Sequence, residues 1–129
     1  MKENSKESLQ EWLTKGDHDI ESAQSLFEKH GYTDIIAFLI QQAIEKYLKG
    51  YLIYYGGKLK KIHDLQELIN EATKIDKAFG GFLDPCIKIS KYYIDTRYPG
   101  FPSEYSQEEI KKSLFVAQKI IKKIKQSIK

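Results

Sequence analysis

Cysteine, proline, histidine and long apolar runs are scarce in this chain, and each scarcity removes a class of explanation. There is one cysteine in 129 residues, Cys86. It excludes an internal disulfide and a multi-cysteine metal centre, and its ordinary place is as a buried structural thiol. Three prolines are present, none before Pro85, so the first half of the chain carries no proline helix breaker. The three histidines, His18, His30 and His63, show no HExxH pairing, and none follows His63. A di-metal bundle needs inward glutamates and a Glu-x-x-His pair, which is missing. Gly56-Gly57-Lys58 lacks the spacing of a phosphate-binding loop. No nucleophile elbow or supported Cys-His dyad is present. No apolar run approaches the length that spans a bilayer, and the polar start Met1-Lys2-Glu3-Asn4-Ser5-Lys6-Glu7 does not read as a signal peptide. The expectation is a cytoplasmic chain with no membrane partner, no metal, no cofactor and no catalytic residue.

What is present is helix-forming sequence. Apolar residues make up 41% and charged residues 30%, ordinary for a globular protein. The length suits one domain, residues 1–129, with a real core. The net charge of +3 permits a nucleic-acid partner without requiring one. Much of the excess lies near the C-terminal end, where Lys111, Lys112, Lys119, Lys122, Lys123, Lys125 and Lys129 outnumber Glu108 and Glu109. A solvated helix face explains such a run by default.

Apolar residues recur at three- and four-residue steps almost throughout. A first helix is expected from about Lys6 to Lys29, weakened in its middle by Gly16 and stopped at His30-Gly31, where glycine accepts a left-handed conformation. A second, capped by Thr33, should run to about Tyr55, with an apolar stripe from Ile36 to Tyr55 wider than one core face needs. Such a helix is central in a bundle or also covered by a partner. Gly56-Gly57 ends it and Lys58-Leu59-Lys60-Lys61 forms a basic connection. Asp64-Leu65-Gln66-Glu67 reads as a capping box for a third helix, with Asp64 bonding the Glu67 amide. Phe79-Gly80-Gly81-Phe82 reads as a break, with Asp84 capping a fourth helix that ends near Thr96. Ser106-Gln107-Glu108-Glu109 is a second capping box, opening a fifth helix to the C-terminus. Long helices with short joints predict an all-α antiparallel bundle.

Three local features stand out against that background. Gln41-Gln42-Ala43-Ile44-Glu45-Lys46-Tyr47-Leu48-Lys49 sets polar groups inside the most apolar helix, with Glu45 and Lys49 in the stabilising order for an ion pair. Ile62-His63-Asp64-Leu65 puts a histidine at a helix start, where it can cap, pack or bind. Thr96-Arg97-Tyr98-Pro99 puts an arginine beside an aromatic ring where a helix must stop. Arg97 either pairs with a carboxylate such as Glu45 or Asp17, or offers its planar fork to phosphate.

Together, and in this order, the three segments resemble the HEPN family, small helical proteins often encoded beside minimal nucleotidyltransferases. The resemblance spans about Trp12 to Ile124. It implies an up-and-down antiparallel four-helix bundle core with an additional helix, and a homodimer. Many members are ribonucleases, often toxins, whose motif is an arginine, a gap of four to six residues, then a histidine. Arg97 fits the arginine, but the histidine window holds Pro102, Ser103 and Glu104. RNA cleavage by 2′-hydroxyl attack needs a proton acceptor and donor, a task suited to imidazole near pH 7. The resemblance therefore implies the branch that lacks this motif: a non-catalytic nucleotide- or RNA-binding module, partner of a minimal nucleotidyltransferase in a toxin–antitoxin-like pair. The alternatives are a divergent ribonuclease toxin and a structural adaptor without ligand. Arg97 would hold phosphate, Tyr98 or Tyr105 would stack on a base, and Lys46, Lys49 and His63 would complete the site. In some toxin members a tyrosine two positions past the histidine receives AMP from the partner; Tyr105 sits two past Ser103.

Overall fold

The computed structural model describes residues 2–57, 64–100 and 104–128, with side chains from Leu9 onward. Its helices are α1 (Lys2–Glu28), α2 (Thr33–Tyr54), α3 (Leu65–Ile75), a 3-10 helix (Lys77–Phe82), α4 (Leu83–Ser90), α5 (Tyr92–Asp95) and α6 (Gln107–Ser127). No strand occurs among the described residues, so the all-α expectation holds.

Contacts at the helix ends set the directions. The Tyr105 amide donates to Thr33 Oγ1 (3.2 Å) and the Tyr55 hydroxyl reaches the Ser127 carbonyl (3.4 Å), so α2 and α6 run in the same sense. Lys46 pairs with Asp19 while Gly50, four residues later, faces Leu13, so α1 runs opposite to α2 and hence to α6. Ser90, at the end of α4, accepts the Leu65 amide at the start of α3 (3.0 Å). Asp76, just past α3, meets Lys123 near the end of α6 (2.9 Å). Hence α1, α2, α4 with α5, and α6 alternate in direction as the four-helix core, and α3 is the additional helix.

The wide stripe of α2 makes it the central helix. Ile36, Ile40, Ile44 and Leu48 are wholly buried, each contributing about 1.5–3 kcal/mol. Neighbouring helices of the same chain cover it. Gly16 and Gly50 permit the close approach of α1 and α2. A Cβ at Gly16 would lie 2.6 Å from the Tyr47 ring, and one at Gly50 would lie 3.1 Å from Leu13. The glycine that costs α1 helix propensity is thus a contact surface for α2. Cys86 is buried, and burial pushes its thiol up to about 12.

Several local expectations are corrected. Thr33 does not cap α2: Tyr32 is the cap position without a side-chain bond, and Thr33 is engaged by Tyr105. His30, not Gly31, takes the left-handed conformation after α1 (φ 57°), and the Gly31 amide closes the turn on the Leu26 carbonyl (2.7 Å). Asp64 caps α3 through the Gln66 amide rather than that of Glu67 (2.9 Å). Residues 79–82 are not a break. They belong to the 3-10 helix, capped by Asp76 on the Ala78 amide (3.0 Å), which runs straight into α4 and leaves Asp84 inside the first turn. The fourth helix is interrupted at Lys91 and resumes as α5. Ser106 caps α6 through the Glu109 amide, as its box predicts (3.0 Å). The basic connection from Lys58 to Lys61 lies outside the described residues.

Candidate functional site

Where α5 stops, the backbone bonds locally. The Thr96 hydroxyl donates to the Tyr92 carbonyl (2.6 Å), and the Arg97 amide donates to the carbonyl of Ile94 (3.1 Å). Pro99 disfavours a helical Tyr98, and Gly100 turns with φ 95°. The chain leaves the bundle here, and Arg97 leaves with it.

The Arg97 guanidinium carbon lies 4.7 Å from the ring centre of Tyr93, one helical turn earlier, and 5.8 Å from that of Tyr98. Both contacts fall within cation–π range. Arg97 is exposed. Among the described residues, no carboxylate lies within ion-pair distance of it. The carboxylates expected as its structural partners are engaged elsewhere. Glu45 accepts from Lys49, and Asp17 accepts from the Tyr47 hydroxyl and pairs with Lys125. A guanidinium resting on a ring keeps its in-plane N–H donors for an external acceptor, the geometry that suits a phosphate.

Both sides of the connection from α5 to α6 are pinned. The Tyr92 hydroxyl donates to Glu109 Oε2 (2.8 Å) and meets Ser113 Oγ (3.0 Å). Its ring packs on Tyr105 with centres 4.7 Å apart. Burial, with Glu109 beside it, lifts the Tyr92 phenol far above its ordinary range. Tyr105 is pushed up to about 12, first by burial and then by the carboxylates of Asp95, Glu109 and Asp34. A cleft of about 400 Å³ beside it is lined by Gly31, Tyr32, Thr33, Asp34, Glu104 and Tyr105. Among the described residues two carboxylates and no cation line that cleft, so it repels phosphate. Tyr105 anchors the connection; Tyr98, 53% exposed, is the better placed ring for a ligand.

The lysines of α2 do not join Arg97. Lys46 pairs with Asp19 at 2.5 Å across the α1–α2 contact. Lys49 is buried, pairs with Glu45 at 3.0 Å and lies over Trp12 at 5.3 Å. Gln41 donates to Glu45 at 3.1 Å, extending one buried polar row along α2. Burying a charge requires such partners, and the row serves packing. His63 and Ser103 lie outside the described residues. Tyr93 was missed from sequence, although its position four residues before Arg97 on a helix is a readable signal. Among the described residues no group of histidine, cysteine and acidic side chains could hold a metal ion, and no helix is long and apolar enough to cross a membrane.

Comparison with known proteins agrees with this architecture. The model of the HEPN domain matches residues 9–127. The crystal structure of TT1696 from Thermus thermophilus is 26% identical, covers 92% of this chain and 96% of its own, and superposes with a TM-score of 0.79. The structure of ST0689, an archaeal HEPN homologue, is 24% identical, with 94% and 98% coverage and a TM-score of 0.76. No curated protein matches.

Proposed function

The chain belongs to the HEPN domain family, and from that premise we propose that it is a non-catalytic binding module for a nucleotide or RNA. In this reading it works beside a minimal nucleotidyltransferase in a toxin–antitoxin-like pair. The observation that carries the reading is Arg97: exposed, stacked on Tyr93, flanked by Tyr98 and without a carboxylate partner among the described residues. Phosphate takes the guanidinium fork, and a base stacks on Tyr98. With no histidine in the window after Arg97, the proton acceptor and donor of a nuclease are not supplied there. The adaptor alternative needs Arg97 engaged with Glu45 or Asp17, and both are occupied by other groups.

A homodimer is part of the same proposal. Most of the α2 stripe, between Ile36 and Leu52, is buried within the chain and does not call for a partner. Support comes instead from Tyr32, Ile35 and Ile94, all exposed, on segments at the end of the bundle where α2 begins and α5 finishes.

Calorimetric titration with adenosine monophosphate tests the binding site. Arg97→Ala should weaken binding about tenfold or more, the scale of a charged hydrogen bond, while the folded chain stays intact. Absence of any heat with the wild type, or equal affinity in the variant, would sink the proposal.

A further inference from the structure

The second surface of interest is the outer face of α6. Its buried side carries Ile110, Ser113, Leu114, Ala117, Ile120, Ile121 and Ile124. The opposite side presents Lys111, Lys112, Phe115, Lys119 and Lys122, all exposed. At 100° per residue these five fall within one arc centred near Phe115. Phe115 therefore has lysines at the fourth and third positions before it and at the fourth and seventh after it. Phe115 is 55% exposed, and Lys119 Nζ lies 4.5 Å from its ring centre.

A solvated helix face explains lysines, but it does not explain a phenylalanine at their centre. Acidic neighbours are also missing where they would be expected. From Ile110 to Lys129 the sequence contains no carboxylate side chain. Lys111, Lys119 and Lys122 have no ion-pair partner among the described residues. Lys112 has only Glu108, at 3.6 Å, and both are exposed. The remaining acids nearby are engaged or lie to one side. Glu109 turns to Tyr92, and Asp17 with Glu21 lines the α1 wall of the adjacent groove. Lys122 and Lys125 line the α6 wall of the same groove.

We propose that this face is a contact track for a single-stranded polynucleotide, with the lysines neutralising successive phosphates and Phe115 stacking on a base. The track from Lys111 to Lys122 is about 16 Å long. A charged backbone carrying flat rings is the chemistry that uses both components. The inference does not depend on Arg97.

The test is fluorescence anisotropy of a short labelled oligouridylate with the full chain across a salt series. The wild type should bind with a log–log salt slope of about −3, roughly 0.7 for each lysine engaged. Replacing Lys111, Lys119 and Lys122 together by alanine should shrink that slope by about 2. Phe115→Ala should weaken binding about tenfold with the slope unchanged. All four side chains are exposed, and an unchanged circular-dichroism melt shows that the variants are folded. No oligouridylate binding by the wild type, or a triple variant that binds like it, overturns the proposal. A Phe115→Ala variant with full affinity also overturns it and marks the face as a general polyanion or acidic-protein surface. Arg97→Ala separates the two sites: it should weaken mononucleotide binding and leave the α6 salt slope in place. Oligouridylate binding that vanishes in Arg97→Ala but survives the triple substitution would refute the track and keep the Arg97 reading.

Discussion

Lys49 and Arg97 carry the same charge in opposite settings. Lys49 is buried in the central helix with Glu45 at 3.0 Å, Gln41 behind that carboxylate and Trp12 beside the ammonium. Arg97 is exposed at the end of α5, resting on Tyr93 with no carboxylate in reach among the described residues. A buried charge has lost its water and needs partners within the protein to replace it. An exposed arginine has kept its water and can exchange it for a phosphate. Cations in a family-like motif thus divide into those the fold consumes and those it leaves available. In this chain Lys46 and Lys49 belong to the first group and Arg97 to the second.

That contrast can be attacked from its interior side first. The largest effect is expected from alkali. Tyr47, Tyr51, Tyr92 and Tyr105 all have phenols raised above their ordinary value near 10, in each case first by burial. The unfolded chain releases these protons from about pH 10, whereas the folded chain holds them longer. Stability is therefore full below about pH 10 and falls as the pH rises towards the folded values. Circular dichroism against pH should show cooperative unfolding on the alkaline side; a chain still folded after all four phenols ionise would contradict this account.

Next in size is Lys49→Ala, which leaves Glu45 buried with only part of its support. The expected loss is about 3 kcal/mol, read as a lower urea midpoint. A loss below about 1 kcal/mol would mean that the pair is solvated and that the contrast with Arg97 is false. Gly16→Ala should follow. Its new Cβ meets the Tyr47 ring at 2.6 Å, and overpacking of about 1–3 kcal/mol is offset by about 1 kcal/mol of helix propensity. A rise in the urea midpoint would show that the Tyr47 ring yields. The smallest effect on stability belongs to Arg97→Ala, within about 0.5 kcal/mol. A large loss of stability would place Arg97 with Lys49 among the structural cations.

The helices were legible because their signals are local. Apolar spacing marked α1, α2 and α6, and the boxes at Asp64 and Ser106 marked real starts. Most misses were local choices of backbone geometry, at His30, Asp64 and residues 79–82, and one came from a distant use. Thr33 looked like a cap but accepts an amide 72 residues away. Gly16 lowers the helix propensity of α1 and is also where Tyr47 packs, a use that the spacing did not announce. The candidate site was half legible. Arg97 and Tyr98 stood out beside Pro99, yet nothing nearby in sequence announced that Lys46 would meet Asp19 across 27 residues.

The all-helical class, most helix limits, the missing histidine after Arg97 and the resemblance to the HEPN family could all be read without coordinates. They follow from residue type and short-range spacing, which act within a few turns of one helix. Which charges are consumed could not be read that way. That outcome depends on which faces of α1, α2, α5 and α6 meet, because burial and pairing are set by neighbours distant in the chain. Through the packing of those faces Tyr105 became an anchor, the α2 lysines became packing, and Arg97 stayed available on its tyrosine.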